Sequence, residues 1–71
     1  MKAYVSVQNF GTDQEKADLC VIINGLTLFH AYVNDQGNVV IPCRSYELGN
    51  LFSQLEANQL NWIEYTVQFD Y

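Results

Sequence analysis

A lone histidine, two cysteines and eight carboxylates are the residues of this 71-residue chain with types that could do chemistry. Their spacing decides what each can do. His30 has no second histidine, no nucleophile in a recognisable arrangement and no acid placed to orient its ring, so a structural or interfacial role is expected. Cys20 and Cys43 form no CxxC motif and lack the accompanying His or Cys ligands that a zinc site needs. A reactive thiol also wants an electropositive setting, which a chain of formal net charge -5 hardly provides. Glu64 and Asp70 could pair as glycosidase carboxylates only if close together. Six residues along an extended strand separate them by about 20 Å, far beyond the roughly 5 to 9.5 Å such mechanisms use. With no phosphate loop, EF-hand or dinucleotide fingerprint either, we expect a protein that is not an enzyme, with no catalytic residue, cofactor or metal site.

Aromatic residues offer a stronger lead, because amphipathic rings dominate interface energies. Tyr4, Tyr32, Tyr46, Trp62 and Tyr71 are more than a core this small easily takes in. Trp62 falls on the polar face of its strand by alternation. It either covers a sheet edge or joins Tyr32, Glu64 and Asp70 in a contact surface.

Only Lys2, Lys16 and Arg44 are basic. Neutralising phosphates needs clustered Lys and Arg, so direct nucleic-acid binding and anionic-membrane binding are not expected, and partners should be basic or neutral proteins. The longest apolar run, "LCVII", is far short of a bilayer span, and the start of the chain has no apolar stretch of signal-peptide length. A soluble, cytoplasmic protein is the expectation.

Positioning these residues falls to one domain spanning residues 1–71, of the α+β class: a small two-layer unit with an antiparallel sheet of four to five strands on one amphipathic helix, in the order β-β-β-β-α-β. The first strand covers about residues 2 to 9, and its place in the sheet is open: either edge, or between the meander and the last strand. "FGTDQEKAD" reads as a solvated loop carrying Asp13, Glu15 and Asp18 around Lys16. Asn24-Gly25, between "CVII" and "LTLF", is a strong hairpin signal and sets Ile23 opposite Leu26. A turn at "NDQGN", with Gly37 left-handed, sets Val33 opposite Val39, Ala31 opposite Ile41 and Phe29 opposite Cys43. That meander puts Cys20 and Cys43 on strands separated by a third, roughly 9 to 10 Å apart, too far for a disulfide.

Ser45 is a plausible N-cap for "YELGNLFSQLEA", whose Leu48, Leu51, Phe52 and Leu55 form one apolar stripe. The last strand, "NWIEYTVQFDY", alternates cleanly. One helix covers one sheet face, expected to be that of Cys20, Ile22, Phe29, Ala31, Val33, Ile41 and Cys43. The other face, with Val21, Ile23, Leu28, His30, Tyr32 and Val40, is then left to be covered by curling of the sheet or by another molecule.

Small size, acidity, absence of catalytic apparatus and a sheet-plus-helix layout together resemble the small phage and mobile-element inhibitors of host defence, of the anti-CRISPR and anti-restriction type. Such inhibitors share no common motif, so the resemblance is one of class. It implies a protein that binds a basic nucleic-acid-handling complex and occludes its nucleic-acid site, by steric blocking rather than close imitation of DNA. The expected contacts are the acids Asp13, Glu15, Asp18, Glu64 and Asp70 and the anchors Tyr32 and Trp62. The alternative from another class is a self-associating structural or accessory subunit that buries its free sheet face in a homodimer.

Overall fold

The computed structural model describes residues 1–7, 11–60 and 64–70. Its α+β architecture is a four-stranded antiparallel sheet with two helices packed on one face. The elements run β1 (Lys2–Val7), α1 (Asp13–Leu26), β2 (Tyr32–Val33), β3 (Val39–Arg44), α2 (Leu48–Ala57) and β4 (Tyr65–Asp70). The sheet order is β2-β3-β1-β4, so β1 lies between the meander and the last strand, one of the places left open by the sequence. This is the split β-α-β, ferredoxin-like layout, a framework that carries many unrelated functions.

The main correction concerns residues 12–26. The segment expected as a solvated loop and an Asn-Gly hairpin is one continuous helix, and the element order is β-α-β-β-α-β. Thr12 and Glu15 start it with a capping box. The Glu15 N–H donates to Thr12 Oγ1 (3.3 Å), and the Thr12 N–H donates back to Glu15 Oε1 (3.2 Å). Asp13 and Glu15 in the first turn also suit the positive end of the helix dipole. From there the run "LCVII" turns Leu19, Cys20 and Ile23 inward, at i, i+1 and i+4, and the rest outward.

Asn24 and Gly25 make no turn. The Asn24 amide binds the next segment: its Oδ1 accepts from the Ala31 N–H (2.6 Å), and its Nδ2 donates to the Ala31 carbonyl (3.4 Å). Thr27 closes α1, donating both its backbone N–H (3.0 Å) and its hydroxyl (2.7 Å) to the Ile23 carbonyl.

The turn after β2 is as expected. Gly37 has φ +79°, and the Asn34 carboxamide oxygen accepts from the N–H groups of Gln36 and Asn38. Val33 pairs with Val39, but β2 stops there, so neither Ala31–Ile41 nor Phe29–Cys43 forms. Ser45 does not cap α2. It begins a short 3-10 turn, and Glu47 reaches back to accept from the Arg44 N–H (2.8 Å). The apolar stripe of α2 faces inward, with Leu51 and Leu55 buried and Leu48 and Phe52 packed against the core. Gln59, at φ +61°, reverses the chain so that the Leu60 N–H reaches the Leu55 carbonyl (2.7 Å) and the Leu60 side chain joins the core.

Two helices therefore cover the sheet face formed by Val5, Val7, Val39 and Ile41, where one helix was expected. The opposite face carries Tyr4, Ser6, Tyr32, Val40, Pro42 and Thr66. Cys20 on α1 and Cys43 on β3 are both free thiols, as expected, although they do not flank Phe29 on neighbouring strands.

Candidate protein-binding surface

The residues marked by sequence as contacts divide between the two sides of the sheet. Asp13, Glu15 and Asp18 lie exposed on the first half of α1, and Tyr32 lies exposed on β2. Asn24 ties the end of α1 to Ala31, just before β2, but the three acids lie on the helix-covered side of the sheet and Tyr32 on its helix-free face. Glu64 and Asp70 flank β4, which is at the opposite edge, and they stand at its two ends. Trp62 lies outside the described residues. No single surface unites the expected set.

Each acid on α1 already has a local partner. Glu15 belongs to the capping box, Asp18 Oδ1 accepts from the Gln14 side-chain amide (2.9 Å), and Asp13 stands 3.9 Å from the Lys16 ammonium. An exposed pair of this kind contributes little stability, so its acids remain available to a cation outside the chain. His30 is exposed and makes no side-chain hydrogen bond among the described residues. Burial pushes both thiols above the ordinary cysteine range, and the Glu47 carboxylate adds to the effect at Cys43. Among the described residues no group of His, Cys, Asp and Glu side chains could hold a metal ion, and no helix is long and apolar enough to cross a membrane.

Apolar residues stand exposed on α1 and just after it; the hairpin reading places Val21 and Leu28 on the sheet face left uncovered and Ile22 on the covered one. Val21 is 71% exposed, Ile22 42%, Leu26 54% and Leu28 88%. Glu15, Asp18, Ile22 and Leu26, at i, i+3, i+7 and i+11, run in one line along α1, acidic at its start and apolar at its end. Leu28 is held out by polar ties. Its N–H donates to Gln54 Oε1 (3.1 Å), the Phe29 N–H donates to the Thr27 hydroxyl (3.1 Å), and Asn58 Nδ2 donates to the Leu26 carbonyl (3.4 Å). The most exposed apolar side chain among the described residues thus projects from a fixed backbone. Thr12-x-x-Glu15 ahead of an apolar run is the sequence signal that could have revealed this line. Compared with known proteins, the chain matches no protein family, no curated protein and no solved structure.

Proposed function

We propose that the protein works by binding another protein, as a non-enzymatic inhibitor that seats the outer side of α1 on a basic surface of a nucleic-acid-handling complex. The observation that carries this reading is the acidic-to-apolar line of α1, with Val21 and Leu28 beside it. Full burial of a Val, Leu or Ile side chain contributes about 1.5 to 3 kcal/mol. Val21 and Leu28 are largely exposed and Ile22 and Leu26 about half, so part of that energy is left for association. The acids at the helix start add direction: with a net charge of -5, they favour a partner that presents Lys and Arg. A surface that binds phosphates has that character. A domain of this size resting on it denies nucleic acid access by bulk alone.

The test is a phage-challenge assay in cells carrying a nuclease-based defence. Expression of the wild-type protein should restore plaque formation, and the Ile22→Glu/Leu26→Glu variant, checked as folded by circular dichroism, should not. Equal protection by that variant would sink the assignment of the surface.

A further inference from the structure

Asn24-Gly25 is the only Asn-Gly pair of the chain, and the fold does not use it as a turn. The pair has a chemistry of its own. Glycine sets no side chain beside its backbone nitrogen, so that nitrogen can reach the side-chain amide carbon of the preceding asparagine. Gly25 N loses its proton and bonds to Asn24 Cγ; the Cγ–Nδ2 bond breaks, and Nδ2 leaves as ammonia. The product is a five-membered succinimide. Water then adds to one of its two carbonyl carbons, and the C–N bond at that carbon breaks. Opening at Cγ leaves an aspartate. Opening at the main-chain carbonyl leaves an isoaspartate, in which the chain runs on through the former side chain. The sum is hydrolysis of an amide to a carboxylate and ammonium, with water as the only co-reactant and no change of oxidation state.

α1 holds both reacting groups apart. Its helical backbone directs the Gly25 N–H at the carbonyl four residues back, that of Val21, and away from Asn24 Cγ. The ring closes only when ψ of Asn24 leaves the helical well. The amide itself is held from both sides, since Oδ1 accepts from the Ala31 N–H (2.6 Å) while Nδ2 donates to the Ala31 carbonyl (3.4 Å). These restraints sit where a helix is weakest. Gly25 is one residue from the end of α1, and helix ends open at a lower free energy than the core. Asn24 and Gly25 are both exposed, so water and base reach them once that turn opens.

We infer that Asn24 is a self-modification site gated by the last turn of α1: wound, the helix keeps it silent; unwound, it converts, and the tie from α1 to β2 is damaged for good. In the aspartate product an oxygen stands where Nδ2 donated, facing the Ala31 carbonyl oxygen. Its negative charge also falls at the C-terminal end of the helix, where the last turn has no basic residue to offset it. The isoaspartate product goes further. One extra backbone methylene ahead of Gly25 shifts the hydrogen-bond ladder, so the Thr27 N–H and hydroxyl lose their place on the Ile23 carbonyl. A reversible opening of α1 is thereby made permanent, and the protein accumulates a record of its openings. The reaction needs no partner and stands apart from the proposed function.

The full chain, incubated at mildly alkaline pH in buffer and in guanidinium chloride, tests this, with peptide mapping by mass spectrometry reading each asparagine. In guanidinium chloride Asn24 should convert faster than any other asparagine. In buffer it should convert at least tenfold more slowly, because the native rate is the open-state rate multiplied by the open fraction; tenfold corresponds to an opening free energy of about 1.4 kcal/mol. Thr27→Val takes the hydroxyl off the Ile23 carbonyl and should raise the native rate roughly two- to tenfold, the worth of one hydrogen bond, while leaving the rate in denaturant unchanged. Converted protein, separated by its added negative charge, should show less helical circular dichroism and a lower Tm. A native rate equal to that in denaturant overturns the inference. So does a native rate indifferent to Thr27→Val, or converted protein whose helicity and Tm are unchanged.

Discussion

Gly25→Ala separates a helix from a hairpin by the sign of one stability change. In α1, Gly25 lies one residue from the helix end, with non-positive φ and, apart from its chain neighbours and the helix's own backbone, no atom within 4 Å of where a Cβ would stand. An interior Gly costs a helix about 0.8 to 1.0 kcal/mol relative to Ala, and the penalty shrinks in the last turn. A gain of about 0.5 kcal/mol is therefore expected, which for a domain of this size raises Tm by roughly 2 to 4 °C. In an Asn-Gly turn the glycine would need positive φ, and alanine there would cost about 1 to 2 kcal/mol. Gly37→Ala supplies the internal contrast. At φ +79° it should destabilise by about 1 kcal/mol, with strain rather than crowding as the cause, because the nearest atom to the added Cβ is the Lys16 Nζ at 3.5 Å. Thermal unfolding followed by circular dichroism, with urea titration to confirm an unchanged m-value, reads both. A fall in Tm for Gly25→Ala would refute the helix, whatever Gly37→Ala does.

Asn24→Ala should destabilise by about 1 to 2 kcal/mol in urea. The buried Ala31 N–H loses its 2.6 Å acceptor, a loss of about 1 to 3 kcal/mol, against a helix-propensity gain of at most about 0.7 kcal/mol. A neutral result would show that the amide is not the tie between α1 and β2. Both thiols should react slowly with iodoacetamide at neutral pH and faster as pH rises past the ordinary cysteine range, since burial raises their pKa. The linkage has a definite sign: the native state holds these protons longer than the unfolded chain. Stability is thus kept below the unfolded thiol pKa and lost as pH rises above it. Unfolding curves that strengthen across that alkaline window would contradict the burial of these groups.

Elements with a single reading were legible from the sequence. The alternation of β4, the stripe of α2 and the left-handed Gly37 each admitted one structure, and each is present. "LCVIINGL" admitted two. An unbroken apolar run has neither the period of a strand nor that of a helix, so its Asn-Gly pair tipped the local reading toward a turn. Capping at Thr12 and Glu15, together with the tertiary bond from Asn24 to Ala31, favours the helix, and only the first of these is visible before folding. That misreading also scattered the candidate surface. With α1 as strands, Ile22 belonged to a buried face and Leu28 to a sheet face; with α1 as a helix, both are exposed. Asp13, Glu15 and Asp18 were visible from composition. The way they line up with Ile22 and Leu26 depended on the helix.

The most direct test of binding through α1 is affinity capture from a nuclease-treated lysate of cells that encode the protein. Wild type and Ile22→Glu/Leu26→Glu would be compared side by side, and the bound proteins identified by mass. The account predicts that the wild type retains a basic, nucleic-acid-handling complex in stoichiometric amount after nuclease treatment, and that the double variant, folded and equally abundant, retains none. Capture of that complex by both proteins alike would contradict it, as would recovery of nothing but further copies of the chain.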